Sequence, residues 1–421
     1  MKLQKQLAAA QKSSRLLATL ATADKNFALK KIADALEQNY AVIEKANVQD
    51  LKKISADKYD RLKFDRARIF GSAAEVRKIA TLSNPVGRVL EIAKPRAKFK
   101  LEKISTPLGV IAMIYESRPN VTVDAISLAL KSGNAIVLRG SADALNSNRA
   151  IVKIIRASLK SSKTPLDAIQ FIDSPDRKIV GELLQAREFV DLVIPRGGRG
   201  LIDFVAQNSL IPTIETGASV VHIFADQNIS DLDKAVKIIV NSKTRRTTIC
   251  NALDTLLVHE KIAPKLFAQL LPELAKRGVK IHSAKLTHRL TGGLTVKTYA
   301  PEFDREWLSL DLNLKIVKSL DEALAHIAKY SLKHTEAIIS RDQKAIDRFL
   351  CEVDAACVYA NLSTQFSDGG EFGLGAEIGI STQKMHARGP FALEALTSYK
   401  WVGRGHGEIR GGGETAPSCS I

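Results

Sequence analysis

The chain has 421 residues, 45% hydrophobic and 25% charged, a composition of soluble globular proteins that excludes a disordered chain and, at ~100–200 residues per domain, implies two or three domains. Its net charge is +17, and residues 1–100 hold 22 Lys and Arg against 10 Asp and Glu. These charges alternate with helix-spaced apolar residues such as Leu29, Ile32, Ala33, Leu36 and Ile43, without stacking aromatics, so they read as solvated helix faces and not as a nucleic-acid surface.

The first 23 residues lack any acid and carry Lys2, Lys5, Lys12 and Arg15, as organellar transit peptides do, yet their helical spacing runs on into the domain. Pro85, Gly87 and Pro95 then flank two alternating segments, 88–92 and 98–104, which predict an exposed β-hairpin. The apolar strand Val110–Tyr115, a helix over 121–131 with Gly133 as its C-cap, and the apolar strand 135–138 describe a parallel βαβ unit. Further alternation follows: a helix over 150–159, a strand near 169–172, a helix over 178–186 and a strand over 190–194. The first part of the chain is therefore a doubly wound α/β domain. A second α/β series runs from about Val220 to Pro390, a short strand covers 397–402, and the glycine-rich end from Gly411 to Ile421 reads as a flexible tail.

Cys250 lies between the basic, hydroxyl-rich stretch 243–249 and an apolar strand. Flanking Arg245 and Arg246 would favour the thiolate, which makes it a candidate nucleophile, although free cysteines are also common as small buried hydrophobes. The turn Arg196-Gly197-Gly198 follows an apolar strand and precedes a helix, and it suits either a phosphate or a tight βα turn without ligand. Asn120 and Arg118 sit at the carboxyl end of the first strand, where open parallel sheets bind ligands. Asn120 can donate to an oxyanion and Arg118 can meet an anion, while Pro119-Asn120 is also an ordinary turn signal. Cys250, Cys351, Cys357 and Cys419 show neither paired nor metal-ligand spacing. No apolar run reaches the ~20 residues that span a bilayer. The expected address is the cytoplasm, with no metal site, no nucleic acid and no membrane among the partners.

Several long stretches in one order, IYESRPNVTVD (114–124), SGNAIVLRG (132–140), IPRGG (194–198), LSLDLNLKIV (308–317), DGGEFGLGAEIGISTQKMHARGP (368–390) and EALTSYKW (394–401), resemble the gamma-glutamyl phosphate reductases, a branch of the aldehyde dehydrogenase superfamily, over about residues 1–410. The resemblance implies an aldehyde dehydrogenase-like α/β fold: two doubly wound parallel-sheet domains plus a small β oligomerisation element. An NADPH-binding domain would cover 1–84 and 109–216, a catalytic domain 217–393, the oligomerisation element 85–108 and 394–410, and a tail 411–421. It implies NADPH-dependent reduction of L-glutamyl 5-phosphate to L-glutamate 5-semialdehyde in proline biosynthesis. Cys250 would be the nucleophile that forms a thioester, with Asn120 and a backbone N–H near Cys250 as oxyanion donors. Arg139, Gly140, Ser141, Gly197, Gly198 and Glu306 would hold NADPH, with Arg139 suited to the 2′-phosphate. Arg118, Arg246, Ser363 and Thr364 would hold substrate.

Glu215 matches the position of a general base in hydrolysing relatives, and it is expected to play no essential catalytic part because water would destroy the thioester. A homodimer or homotetramer is implied, and a transient contact with glutamate 5-kinase would deliver the labile acyl phosphate. Two departures stand out: Thr247-Thr248-Ile249 replaces the common Pro-Ser-Thr before the nucleophile, and Gln365 replaces an arginine after Ser363-Thr364. The competing readings are an oxidative aldehyde dehydrogenase, which phosphate dependence separates, and a basic binding protein on an enzyme scaffold, which would bind nucleic acid without turnover.

Overall fold

The computed structural model describes residues 2–95, 99–283 and 298–409; the expected tail over 411–421 and Cys419 lie outside them. A four-stranded parallel sheet has the spatial order Ile169–Phe171, Ala135–Gly140, Val110–Tyr115, Leu192–Arg196. All six residues of Val110–Tyr115 and of Ala135–Gly140 are buried, as expected of central strands covered on both faces. The helix Pro119–Lys131 crosses from one to the other and ends at Gly133, whose φ of +79° is the left-handed conformation that stops a helix. The order in which strands join the sheet reverses between Val110–Tyr115 and Leu192–Arg196, which run parallel, so the crevice of the sheet opens beyond Tyr115 and Arg196.

The helices Lys2–Leu17, Thr22–Gln38 and Arg66–Thr81 bury Leu7, Leu17, Leu29, Ile32, Leu36, Ile69 and Val76 in the same core as this sheet, so the basic segment presents its charges outward from packed helices. A seven-stranded sheet follows, in the order Thr298–Tyr299, Lys280–His282, Asp311–Val317, Thr255–His259, His222–Ala225, Thr335–Ile339, Cys357–Ala360, with every pairing parallel. Val89–Ala93, Lys100–Pro107 and Thr397–Arg404 form a separate three-stranded antiparallel sheet. No described helix is long and apolar enough to cross a membrane.

Two particulars differ from the sequence pattern. The helix expected from residue 150 begins at Leu145. Polar Asn146, Ser147 and Asn148 hide its first turn, because their partner is distant: the buried Asp50 carboxylate accepts from Asn146 Nδ2 (2.8 Å), Ser147 N (2.8 Å) and Ser147 Oγ (2.7 Å). Residues 376–396, which fall in the second α/β series by pattern, return to the first core through Ile378, Phe391, Leu393 and Leu396.

Replacing Asp50→Ala leaves three buried donors without an acceptor and should destabilise the first body by about 2 kcal/mol in urea unfolding. A change below about 0.5 kcal/mol would show that the helix start does not depend on this carboxylate.

Candidate active site

The carboxyl edge of the first sheet carries one half of the site. After Tyr115 the chain turns through Glu116, Ser117 and Arg118, and Pro119 opens the next helix where its missing N–H matters least. Asn120, in the first turn, donates from Nδ2 to Asp124 Oδ2 one turn later (3.1 Å). Burial pushes the Asp124 carboxyl up to about 6 against the pull of Arg196. With one amide N–H engaged, the second of Asn120 is fixed in direction, which an oxyanion donor requires.

The amino edge of the second sheet carries the other half. Cys250 lies in the turn between the helix Leu232–Thr244 and the strand Thr255–His259. That turn is held at both of its ends. Asn251 Nδ2 donates to Ser367 O (2.9 Å), Lys243 Nζ donates to Leu253 O (2.9 Å), and Asp254 accepts from Val221 N (3.0 Å) and Trp307 N (2.9 Å). Ser363 and Thr364, expected on the substrate, belong to this scaffold: Thr364 is fully buried and donates to Asn251 O (2.7 Å), and Ser363 donates to Asn241 Oδ1 (2.7 Å). Their hydroxyls tie this segment to the nucleophile's turn. Gln365 works alongside them, donating from Nε2 to Ser242 O (3.0 Å) and accepting from Arg245 Nη1 (3.3 Å).

Arg245 and Arg246 are not among the groups that act most on the Cys250 thiol. Burial pushes the Cys250 thiol up to about 12, Glu377 and Glu306 add to the rise, and the cation that opposes them is Arg196. Arg245 and Arg246 are exposed, and Arg245 is turned onto Gln365, while the cation that acts on the thiol closes a strand some fifty positions earlier.

Arg196 and Arg118 face Cys250 from the first sheet. Arg118 is brought down to about 10 by burial and by Arg196, Arg61 and Arg246, with Cys250 acting in the opposite sense. None of Arg61, Arg118, Arg196 and Arg246 has a side-chain hydrogen bond or ion pair among the described residues. Arg196 fits where it does because Gly379 lacks a side chain: a Cβ there would come within 3.1 Å of its Nη1 and 2.6 Å of Thr216 Cγ2. Unneutralised Arg196 and Arg118 beside the thiol, with Arg61 and Arg246 acting on Arg118, make a receptor for an anion.

The expected cofactor residues lie beside this half of the site. Arg139, 8% exposed, reaches the carbonyls of Pro175 and Asp176 only at 3.4 Å, and its Nε has no partner, so it is free to take an anionic group. Ser141 lies 3.4 Å from Ser117, which donates to Asp143 (3.0 Å). Gly140 is small for packing, since a Cβ would sit 2.2 Å from Asn148 Nδ2 and 3.3 Å from Tyr115. The glycine turn is already engaged: Gly198 N donates to Glu116 Oε2 (3.0 Å), and a Cβ on Gly197 would strike the Glu116 side chain. A carboxylate thus occupies the helix N-terminus that the sequence offers to a phosphate. The fit to a nicotinamide dinucleotide rests on Arg139.

Glu306 lies in the second body, accepting from Ser219 Oγ (2.9 Å), and Glu215 only donates its backbone N–H to Gln383 Oε1 (3.1 Å). Arg196, Glu377, Asp124 and Glu116 are the residues that sequence reasoning passed over. Arg196 carried a signal, a cation closing an apolar strand. Arg61 carried none among its many basic neighbours.

The model of the aldehyde dehydrogenase family matches residues 1–288. Gamma-glutamyl phosphate reductase of Escherichia coli O7:K1 is 46% identical over 410 residues, covering 96% of this chain and 98% of its own. The crystal structure of gamma-glutamyl phosphate reductase from Thermotoga maritima is 42% identical and superposes with a TM-score of 0.93, covering 98% of this chain and 100% of its own. An acetylating aldehyde dehydrogenase from Geobacillus thermoglucosidasius shares the fold at 18% identity, with a TM-score of 0.68 over 98% of each chain. The chain belongs to the aldehyde dehydrogenase family of nicotinamide-dependent oxidoreductases, and within it to the gamma-glutamyl phosphate reductases.

Proposed function

We propose that this chain reduces L-glutamyl 5-phosphate to L-glutamate 5-semialdehyde with NADPH, releasing phosphate, as a step of proline biosynthesis. The observation that carries this reading is the set of unpaired arginines around Cys250. An aldehyde needs no such charge, whereas an acyl phosphate brings two negative charges or nearly so. Arg118 and Arg196 hold the phosphoryl oxygens. Cys250 Sγ attacks the acyl carbon, the carbon–oxygen bond to phosphate breaks, and phosphate leaves with the electron pair and takes up the thiol's proton. That acceptor suits a thiol held neutral by burial. Asn120, braced by Asp124, donates to the oxyanion. NADPH when bound would supply a hydride to the acyl carbon, with Arg139 meeting the 2′-phosphate; collapse of the tetrahedral species releases the aldehyde and the Cys250 thiolate, which takes up a proton from solvent to return the thiol.

The carboxylates that act most strongly on the thiol are Glu377 and Glu306, so Glu215 has no part in activating water. In this reading the first parallel-sheet body holds the cofactor and the second carries the nucleophile. The three-stranded sheet, with exposed Val89, Leu90, Ile92, Tyr399 and Trp401, joins subunits into a homodimer or homotetramer. A monomer by light scattering would remove that assignment. Transient contact with glutamate 5-kinase would shield the acyl phosphate from water.

The test is NADP⁺ reduction with glutamate 5-semialdehyde, with and without phosphate. Turnover should require phosphate and vanish in Cys250→Ser, and Arg196→Gln or Arg118→Gln should raise the KM for phosphate about 10–100-fold. Turnover indifferent to phosphate would identify a hydrolysing dehydrogenase instead.

The raised thiol pKa gives a second expectation. Iodoacetamide alkylation of Cys250, followed by peptide mass spectrometry, should be slow at pH 7 and accelerate about tenfold per pH unit as the thiolate fraction grows. Glu377→Gln should speed it and Arg196→Gln slow it at any one pH; a plateau already reached at neutral pH would contradict the electrostatic account.

A further inference from the structure

A second crevice lies at the far edge of the sheet that carries the nucleophile. Four neighbouring strands, Asp311–Val317, Thr255–His259, His222–Ala225 and Thr335–Ile339, end there in register, with Val317 paired to His259, and Ala225 to both Val258 and Ile339. The helices that follow the two inner strands, Leu232–Thr244 and Ala263–Lys276, pack on one face of the sheet. Those that follow the two outer strands, Leu320–Tyr330 and Gln343–Glu352, pack on the other. Chain segments that part to opposite faces leave a gap beyond the carboxyl ends of their strands, where open parallel sheets bind ligands. Here the gap is a cleft of about 280 Å³, whereas Cys250 lies at the amino edge.

Two side chains that line the cleft, Asp226 and His259, are each 4% exposed and follow the paired residues Ala225 and Val258. Asp226 Oδ2 accepts from Ser340 Oγ (2.7 Å) and Asn228 N (3.3 Å), while its Oδ1 has no partner among the described residues. His259 Nδ1 accepts from Lys261 N (3.2 Å), so in the neutral ring Nε2 carries the proton, and that N–H is equally without a described partner. Neither atom is sealed from solvent. Adjacent strands stand about 4.8 Å apart, so a spare acceptor and a spare donor come from neighbouring strand ends.

Lys261 and Lys318 also line the cleft, exposed and without an ion pair among the described residues. Its second carboxylate, Asp342, is committed to capping the helix Gln343–Glu352 through Lys344 N (3.0 Å). A simple anion would be repelled by Asp226, and a simple cation by the two lysines. A zwitterion satisfies both signs at once.

We infer that this cleft binds a free α-amino acid with a short side chain, at a site separate from the nucleophile's. Asp226 takes the ammonium, His259 Nε2–H and the lysines take the carboxylate, and Leu320 and Ala345 face the side chain. At the ~30 Å³ share of one water, the cleft holds about nine groups of that size, which suits a small amino acid.

The experiment is saturation-transfer NMR on the full chain, titrated with glycine, L-alanine and L-proline, and with acetate and methylamine as probes of one charge each. Transfer to at least one amino acid should exceed that to either single-charge probe. Its Kd should rise about tenfold in Asp226→Asn and in the double variant Lys261→Ala/Lys318→Ala, and stay unchanged in Arg118→Gln. The lysine variant removes exposed, unpaired side chains and should keep wild-type turnover, so a misfolded Asp226→Asn would not spoil the test. Acetate binding as tightly as the amino acids would make the cleft an anion site. Binding lost in Arg118→Gln but retained in the lysine variant would place the amino acid at the nucleophile. Either result, or no transfer to any of the three amino acids at about 10 mM, would overturn the inference.

Discussion

Positive charge gathered around one thiol without internal neutralisation is the constraint that the rest of this structure answers to. Arg118 and Arg196 sit at the carboxyl ends of adjacent strands, Arg246 just before the nucleophile, and Arg61 on a helix packed outside the first sheet. Left to themselves such groups would repel one another or collect carboxylates. The fold prevents both by fixing each on a separate rigid element and by placing nearby carboxylates elsewhere: Glu116 is turned onto Gly198, Asp124 onto Asn120, and Glu377 onto Gly369. The unmet charge is then available to a ligand, and binding an anion relieves repulsion already present in the free enzyme.

The nucleophile is organised in the opposite way, by saturation. Ser242, Lys243, Arg245, Asn251 and Asp254 are each tied down, with partners from within the segment and from 219–221, 306–307 and 363–367. A cysteine in a turn would otherwise move by more than the fraction of an ångström that in-line attack tolerates. The hydroxyl-rich stretch Ser363-Thr364 and the departure Gln365 make sense within that frame. An arginine at 365 would add charge, while glutamine ties Arg245 and the end of the Leu232–Thr244 helix to the nucleophile's turn. Loss of charge at 365 is thus accompanied by a gain in order at 250.

Much of this was legible in the sequence. Val110–Tyr115 and Ala135–Gly140 declare themselves as doubly covered strands because no polar residue interrupts them before Arg139, and Gly133 announces the helix end between them. Cys250 stands out by its setting, and Asn120 by its place after a buried strand. What stayed hidden depends on partners far along the chain. The start of the Leu145 helix rests on Asp50, and the thiol's electrostatics rest on Arg196 and Glu377, not on adjacent arginines. The return of 376–396 to the first core is a tertiary choice that a local apolar pattern cannot express. Ser363 and Thr364 are a polar pair near the site whose hydrogen bonds to Asn241 and Asn251 no local pattern could show.

The account stands most directly on an acyl group carried by Cys250 that phosphate, and not water, removes. Incubation with glutamate 5-semialdehyde and NADP⁺ in phosphate-free buffer, followed by mass spectrometry of the Cys250 peptide, tests this in one step. A glutamyl adduct on Cys250 that accumulates and is discharged when phosphate is added is the predicted result. An adduct that never forms, or one that water clears at the same rate without phosphate, would contradict it.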